Sequence, residues 1–289
     1  MNLKITDARA ILGDSAFLLD DGKTAVLFDT GFGFTGERVT EKVKAALGDR
    51  PLDYIFLTHS HYDHIMGVPH LLGAYPDAKV VAGAYAARIF EKPTARAVMC
   101  DLDRKFADTC GVGEYETHMD RLRVDIPLED GDEIMAGDLR IVAVWLPGHT
   151  KCSFGFWLPD EKLLVGSETL GVFDGGDILF PNCLVGYRMA LDSIEKAKSF
   201  GAEHLLLPHF GLLSGEKVAY YLSHAAEATT YTAESMVDIL RRGGTKEDVL
   251  AWFVDKYYHG EIRESYPVDA MRLNTSIMTD LFAREFGLV

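Results

Sequence analysis

Apolar positions in this chain fall into short runs set between turn residues, and these runs alternate with segments whose apolar residues recur at helical spacing. Ser15–Leu19 and Thr24–Phe28 flank an Asp21-Gly22 turn, which predicts a β-hairpin. In Glu37–Leu47, Val39, Val43 and Leu47 share one helical face, and Gly48 stops the helix. Tyr54–Leu57 and Lys79–Val81 read as strands, and Thr94–Cys110 reads as a helix inside an insertion covering residues 84–130. Leu139–Leu146 is a further strand, and Met189–Phe200 a helix ended by Gly201. Hairpins interleaved with helices predict an α/β (α+β) fold, with two mixed sheets covered by outer helices.

After Gly211 the pattern changes. Glu216–Leu240 places Val218, Tyr221, Leu222 and Ala225 on one helical face and stops near Gly243-Gly244. Thr245, followed by Glu247 and Asp248, has the form of an N-cap with acids in the first turn. Val249, Trp252, Phe253 and Tyr257 follow at helical spacing, and Pro267 opens a last helix carrying Met271, Ile277, Leu281 and Phe286. The chain thus divides into a core of residues 1–212 and a helical extension, 213–289, of about three elements. That extension is either a packing layer or dimer surface, or a cap over the functional site.

The chemistry concentrates in Thr58-His59-Ser60-His61-Tyr62-Asp63-His64, directly behind the apolar run Tyr54–Leu57. His59 and His61 point the same way from an extended chain, and the following turn aims Asp63 and His64 at a neighbouring point. This arrangement suits two metal ions better than one. A second pattern, Gly31-Phe32-Gly33-Phe34-Thr35-Gly36, satisfies G-x-G-x-x-G after a strand and before a helix. The dinucleotide fingerprint also requires an acid near the end of the next strand. Here that strand ends in His59 and Asp53 sits at its start, so a nucleotide site is rejected.

The run H-x-H-x-D-H is the hallmark of the metallo-β-lactamase superfamily, and residues 1–212 resemble that family at each further step. Trp145-Leu146-Pro147-Gly148-His149-Thr150 matches its strand, turn and third histidine. A hairpin follows, Ser153–Leu158 and Lys162–Val165 about Pro159-Asp160-Glu161. It ends in Gly166-Ser167-Glu168, where the family usually has Gly-Asp. Glu168 is the candidate bridge, with Ser167 the other residue in register. His204–Gly211 then supplies His209. By this resemblance one metal takes His59, His61 and His149, and the other takes Asp63, His64 and His209. Asp29-Thr30-Gly31 resembles a family turn in which Asp29 is a buried acceptor orienting a histidine; an ordinary turn aspartate is the alternative. The resemblance implies an αββα sandwich with a glyoxalase II-like core and two divalent metal ions, zinc first, iron or manganese otherwise.

Composition narrows the partners. With 29 basic against 44 acidic residues the formal charge is −15, a poor match for nucleic acid, whose phosphates need a basic footprint. Residues 1–7 hold no apolar signal core and no stretch is long and apolar enough to span a bilayer. Cys100, Cys110, Cys152 and Cys183 lack C-x-x-C spacing, so reduced thiols in a cytoplasm are expected. The expected partner is a small-molecule substrate, without nucleic acid or membrane, and a homodimer through the C-terminal helices is compatible with the extension.

The activity implied by the resemblance is hydrolysis by a metal-bound hydroxide attacking a carbonyl, with Asp63 orienting it or shuttling its proton. Thioesters are expected first, because their sulfur leaves without a strong general acid; lactones and esters come next. No G-x-S-x-G elbow or P-loop competes. Tyr187 and Arg188 are candidates for contact with an anionic substrate tail, or simply begin a helix. Two other readings are open. One is an iron-dependent redox enzyme similar to persulfide dioxygenases or to diiron oxygen and nitric oxide reductases, although the flavodiiron proteins usually carry Glu where His61 stands. The other is a metal-binding regulatory protein with little turnover.

Overall fold

The computed structural model describes residues 3–288. One sheet runs in chain order through β1 (Lys4–Asp7), β2 (Phe17–Asp20), β3 (Ala25–Phe28), β4 (Tyr54–Leu57), β5 (Lys79–Gly83) and β6 (Ile126–Leu128). The hairpin β2–β3 is as expected, with Phe17 opposite Phe28 and Asp20 opposite Ala25. From β3 to β6 the strands are parallel. The remaining strands are β7 (Glu133–Ala136), β8 (Leu139–Trp145), β9 (Phe154–Leu158), β10 (Leu163–Val165), β11 (Val172–Phe173), β12 (Leu179–Phe180), β13 (His204–Leu207) and β14 (Gly211–Ser214). They form a second mixed sheet in the order β14-β13-β10-β9-β8-β7, with β11–β12 a separate ribbon.

The strands read as continuous apolar runs because most of them are covered on both faces. Phe17, Leu19, Val26, Phe28, Phe56 and Val81 pack inward against Ile141, Ala143, Phe156, Val165 and Leu206 of the second sheet. The rings of Phe28, Phe56 and Phe156 form a triangle with centroids 5.0 to 5.5 Å apart. Such burial contributes roughly 1.5–3 kcal/mol per side chain. Alternate residues of the same strands, Leu18, Leu27, Ile55 and Val80, face the opposite way.

Two helical layers cover these outer faces. On the first sheet lie α1 (Gly36–Leu47), α2 (Tyr62–Ile65), α3 (Val68–Ala74), α4 (Ala84–Phe90) and α5 (Pro93–Thr109); Val39, Val43 and Leu47 are buried there, as their spacing requires. On the second sheet α6 (Tyr187–Ser199) packs Ile194 and Ala197 against Val144, Leu164 and Leu205. The result is an αββα sandwich.

The extension holds α7 (Glu216–Arg241), α8 (Lys246–Tyr257), α9 (Gly260–Ser265) and α10 (Val268–Glu285). That is one short helix more than the pattern predicts. Thr245 and Asp248 form a reciprocal capping box at the start of α8. The first turns of α7 pack Val218, Tyr221, Leu222 and Ala225 on the sandwich. Its later turns pack Ala233, Met236 and Val237 with α8, α10 and the segment carrying Phe180 and Tyr187. A single helix therefore belongs to both apolar clusters. Among the described residues no helix is long and apolar enough to cross a membrane.

Candidate metal centre

Each candidate ligand follows the carboxyl end of a strand: His59 to His64 after β4, His149 after β8, Glu168 after β10 and His209 after β13. The ends are tied together, since the Thr58 carbonyl at the end of β4 accepts the N–H of Phe154 at the start of β9. The structure brings all seven residues into two adjoining groups. His59, His61, His149 and Glu168 form one, and Asp63, His64, Glu168 and His209 the other, with ligand atoms inside each group within 4.8 Å of one another. Glu168 belongs to both. Its Oε2 lies 2.7 Å from His149 Nε2 and its Oε1 lies 2.9 Å from His209 Nε2. The carboxylate therefore spans the two groups with one oxygen each, a reach the extra methylene of Glu supplies. Ser167 is buried with its hydroxyl unpartnered.

The outward nitrogens of His64, His149 and His209 are fixed by neighbours, which aims their other nitrogens inward. His149 Nδ1 donates to the Asn182 carbonyl at 2.8 Å, and His209 Nδ1 to the Gly13 carbonyl at 2.9 Å. His64 Nδ1 donates to Asp29 Oδ2 at 2.8 Å. Asp29 is the buried acceptor the turn pattern suggests; its carboxylate also accepts the Thr58 N–H at 2.8 Å and the hydroxyls of Ser15 and Thr58. Inward nitrogens then face one another: His61 Nδ1 is 2.9 Å from His149 Nε2, and His64 Nε2 is 3.1 Å from His209 Nε2.

Two backbone features hold these positions. Asp29 and His209 adopt φ of 56° and 62°, a left-handed conformation that costs a residue with a Cβ roughly 1–3 kcal/mol. Gly148, before His149, has φ 143°, and a Cβ there would lie 2.7 Å from the Ala190 Cα. Only glycine lets the His149 turn pack on α6.

Electrostatics follow from burial. His59, His64 and His149 are fully buried. Burial and the neighbouring imidazoles drive His59 far below its ordinary range, and burial with His149 pushes His61 down to about 3. Both rings are thus neutral and ready to ligate. Burial also opposes the charged form of His64, yet the Asp29 and Asp63 carboxylates outweigh it and hold the ring at about 9. Burial pushes the Asp63 carboxyl up. It would do the same to Glu168, but His149 and His209 hold that carboxyl well below the usual range.

The donor set fits divalent cations. His59 Nε2 is buried without a hydrogen-bond partner, an arrangement that ordinarily carries a cost. Paired imidazole nitrogens and carboxylates are the donors that zinc, iron and manganese accept.

Three helpers, Asn182, Tyr266 and Asn274, carry no signal in the sequence. Asn182 Nδ2 donates to Glu168 Oε2 at 3.3 Å and to the Tyr266 hydroxyl at 3.2 Å, and the Asn274 Nδ2 donates to that hydroxyl at 2.8 Å. The helical extension therefore reaches the Glu168 carboxylate through a chain of side chains that lie far apart in sequence. Tyr187 and Arg188 do not join the cluster. They start α6, where Tyr187 is buried against Phe282 and Phe286 and both backbone N–H groups donate to the Glu285 carboxylate. Packing against the last helix accounts for the position of the pair at the start of α6. Cys152, also buried, lies 3.2 Å from the Ser60 hydroxyl as a small packed side chain.

A four-layer sandwich with paired histidine and carboxylate groups at its strand ends defines a class of metal-site proteins. The family model described as the metallo-beta-lactamase superfamily matches residues 12–209, and the chain belongs to that superfamily. A metallo-beta-lactamase fold-containing protein of Sulfurisphaera tokodaii is 26% identical over 188 residues, which cover 62% of this chain and 71% of that protein. An acyl-coenzyme A thioesterase of Gallus gallus is 26% identical over 176 residues, covering 59% of this chain and 61% of its own length. Among solved structures, a metallo-beta-lactamase family protein of Thermus thermophilus superposes with a TM-score of 0.64 at 19% identity, over 94% of this chain and 88% of that one.

Proposed function

We propose that the protein is a dinuclear metal-dependent hydrolase acting on a thioester. The observation that carries this reading is Glu168, one oxygen in each of two four-residue groups of N and O donors. His59, His61 and His149 would hold one cation with Glu168, and Asp63, His64 and His209 the other. Two divalent cations, when bound, supply Lewis acidity that activates water near neutral pH and polarises a carbonyl oxygen.

The chain's own residues do the rest. Asp29, Asn182 and Gly13 fix the ring orientations of His64, His149 and His209. Asp63, whose side chain is one-fifth exposed, would orient the attacking water and take its proton. The scheme calls on no strong general acid, because a thiolate leaving group needs none. The similarity to an acyl-coenzyme A thioesterase supports hydrolysis in general; the thioester is our choice of substrate within it. Zinc is the proposed cation. All four cysteines are free thiols, and the cytoplasm is the proposed compartment.

The test is a substrate panel on protein reconstituted with zinc, iron or manganese. Thioester turnover that a chelator abolishes is expected; turnover of phosphodiesters alone would refute the proposal. Elemental analysis of anaerobically purified protein runs beside it. Bound iron with oxygen consumption would replace hydrolysis by redox chemistry.

A further inference from the structure

The wall beside His61 takes no part in holding cations. A cavity of about 360 Å³ opens between the histidine loop and α5, within the range of roughly 300–1,000 Å³ usual for small-molecule sites. The loop contributes His61 and Tyr62; α5 contributes Ala95, Val98, Met99 and Leu102. Those four recur at i, i+3, i+4 and i+7 and so share one helical face.

That face is neutral for a definite reason. The nearby cations of α5 point elsewhere and are engaged: Arg96 donates to the carbonyls of Phe90, Met119 and Leu122, Arg104 to those of Gly113 and Tyr115, and Lys105 pairs with Asp101. No Lys or Arg lines the cavity, and its polar lining is limited to the hydroxyls of Ser60, Tyr62 and Thr94 and the His61 ring. Val98, by contrast, is an aliphatic side chain 58% exposed at this site, and a bound apolar group would cover it.

The wall is also anchored. Asp103, one turn on from Met99 at the flank of that face, accepts the Gly33 N–H at 2.8 Å and the Tyr115 hydroxyl. A Cβ on Gly33 would lie 2.7 Å from Asp103 Oδ2, so glycine is what allows this close approach. The Phe32 ring packs between Phe106 and Tyr62 in tilted contacts, with centroids at 4.8 and 5.6 Å. The G-x-G-x-x-G segment thus serves to seat α5 beside the histidine loop.

We propose that this cavity receives the apolar acyl chain of the substrate, so that the enzyme selects straight-chain acyl thioesters longer than acetyl. The proposal rests on the thioester reading above. The atoms of the reaction are those of hydrolysis: water adds to the carbonyl, the C–S bond breaks, and a carboxylic acid and a thiol leave. The acyl end would lie along α5, and the thiol end would leave away from that helix.

The experiment uses the full, metal-loaded chain with acetyl, butyryl, hexanoyl and octanoyl thioesters of N-acetylcysteamine. The specificity constant kcat/KM should rise about fourfold per methylene until the cavity is full. Ala95→Phe fills the cavity and Val98→Glu sets a charge at its already exposed rim, where the fold tolerates it. Each should lower the octanoyl-to-acetyl ratio by about tenfold or more. A flat chain-length profile in the unaltered protein, or an unmoved ratio in both folded variants, overturns the proposal. Calorimetric binding of octanol to the metal-free chain separates the two readings. Octanol binding that Ala95→Phe weakens, with no thioester turned over, upholds the cavity and removes the reaction; absence of octanol binding removes the cavity whatever the activity.

Discussion

Replacing Asp29 by Asn should weaken one cation site and leave the other, and the geometry fixes the direction. The Thr58 hydroxyl touches both carboxylate oxygens of Asp29, and their other partners differ. Oδ1 accepts the Thr58 backbone N–H at 2.8 Å, a donor that cannot turn around, while Oδ2 faces His64 Nδ1 at 2.8 Å and the Ser15 hydroxyl at 2.9 Å. An Asn must therefore keep its carbonyl oxygen toward Thr58 and put its NH2 toward His64. The Nδ1 of His64 then becomes an acceptor, and the ring proton moves to Nε2, the nitrogen that faces His209 at 3.1 Å. A protonated Nε2 has no lone pair for a cation. Loss of such an orienting partner typically costs about 10–100-fold in metal affinity, or about 1.4–2.8 kcal/mol. Competition of the protein with a chromophoric chelator should show one cation bound as before and a second bound more weakly by that factor. Two unchanged affinities would mean that Asp29 does not set the His64 tautomer.

Further outcomes follow from the same geometry. Glu168→Asp shortens the reach by about 1.5 Å, so the carboxylate no longer spans His149 and His209; bound metal should fall toward one equivalent, read by elemental analysis, and retention of two would contradict the bridging role. Tyr266→Phe removes the acceptor shared by Asn182 and Asn274 and should cost about 1–3 kcal/mol in urea unfolding, with weaker cation binding because Asn182 also holds Glu168. Gly148→Ala should lower stability by about 1–3 kcal/mol, since its Cβ would meet the Ala190 backbone; an unchanged Tm would show that α6 can move aside. In metal-free protein His64 has its pKa raised from 6.5 to about 9. Its contribution to stability is therefore complete below pH 6.5 and lost as pH rises through 9. His59 and His61, driven downward, cost stability only as pH falls below 6.5. Urea unfolding in chelator should show the loss on the alkaline side, and cation-loaded protein should lack it because the cation takes the neutral ring.

The chain's linear order determined a good part of this. The apolar runs at Tyr54–Leu57 and Leu139–Leu146 and the helical spacing in Glu37–Leu47 became β4, β8 and α1 with nearly the same limits. That is possible because backbone period and burial are local consequences of side-chain pattern. The ligands at 59–64 were legible for the same reason: four donors in six positions need no distant partner to be recognised. His149, Glu168 and His209 were found only by resemblance, because a turn histidine or loop glutamate has no local signature until its strand is placed in a sheet. Short elements such as α9 and β11–β12 carry too few residues to show a period. Tertiary structure alone decided that Glu168 spans both groups, that Asn182 and Tyr266 support it, that Tyr187 packs on α10, and that the glycines at 31–36 seat α5 against the histidine loop. Each of these depends on atoms brought within about 3–4 Å by the stacking of two sheets, and separation along the chain gives no measure of that.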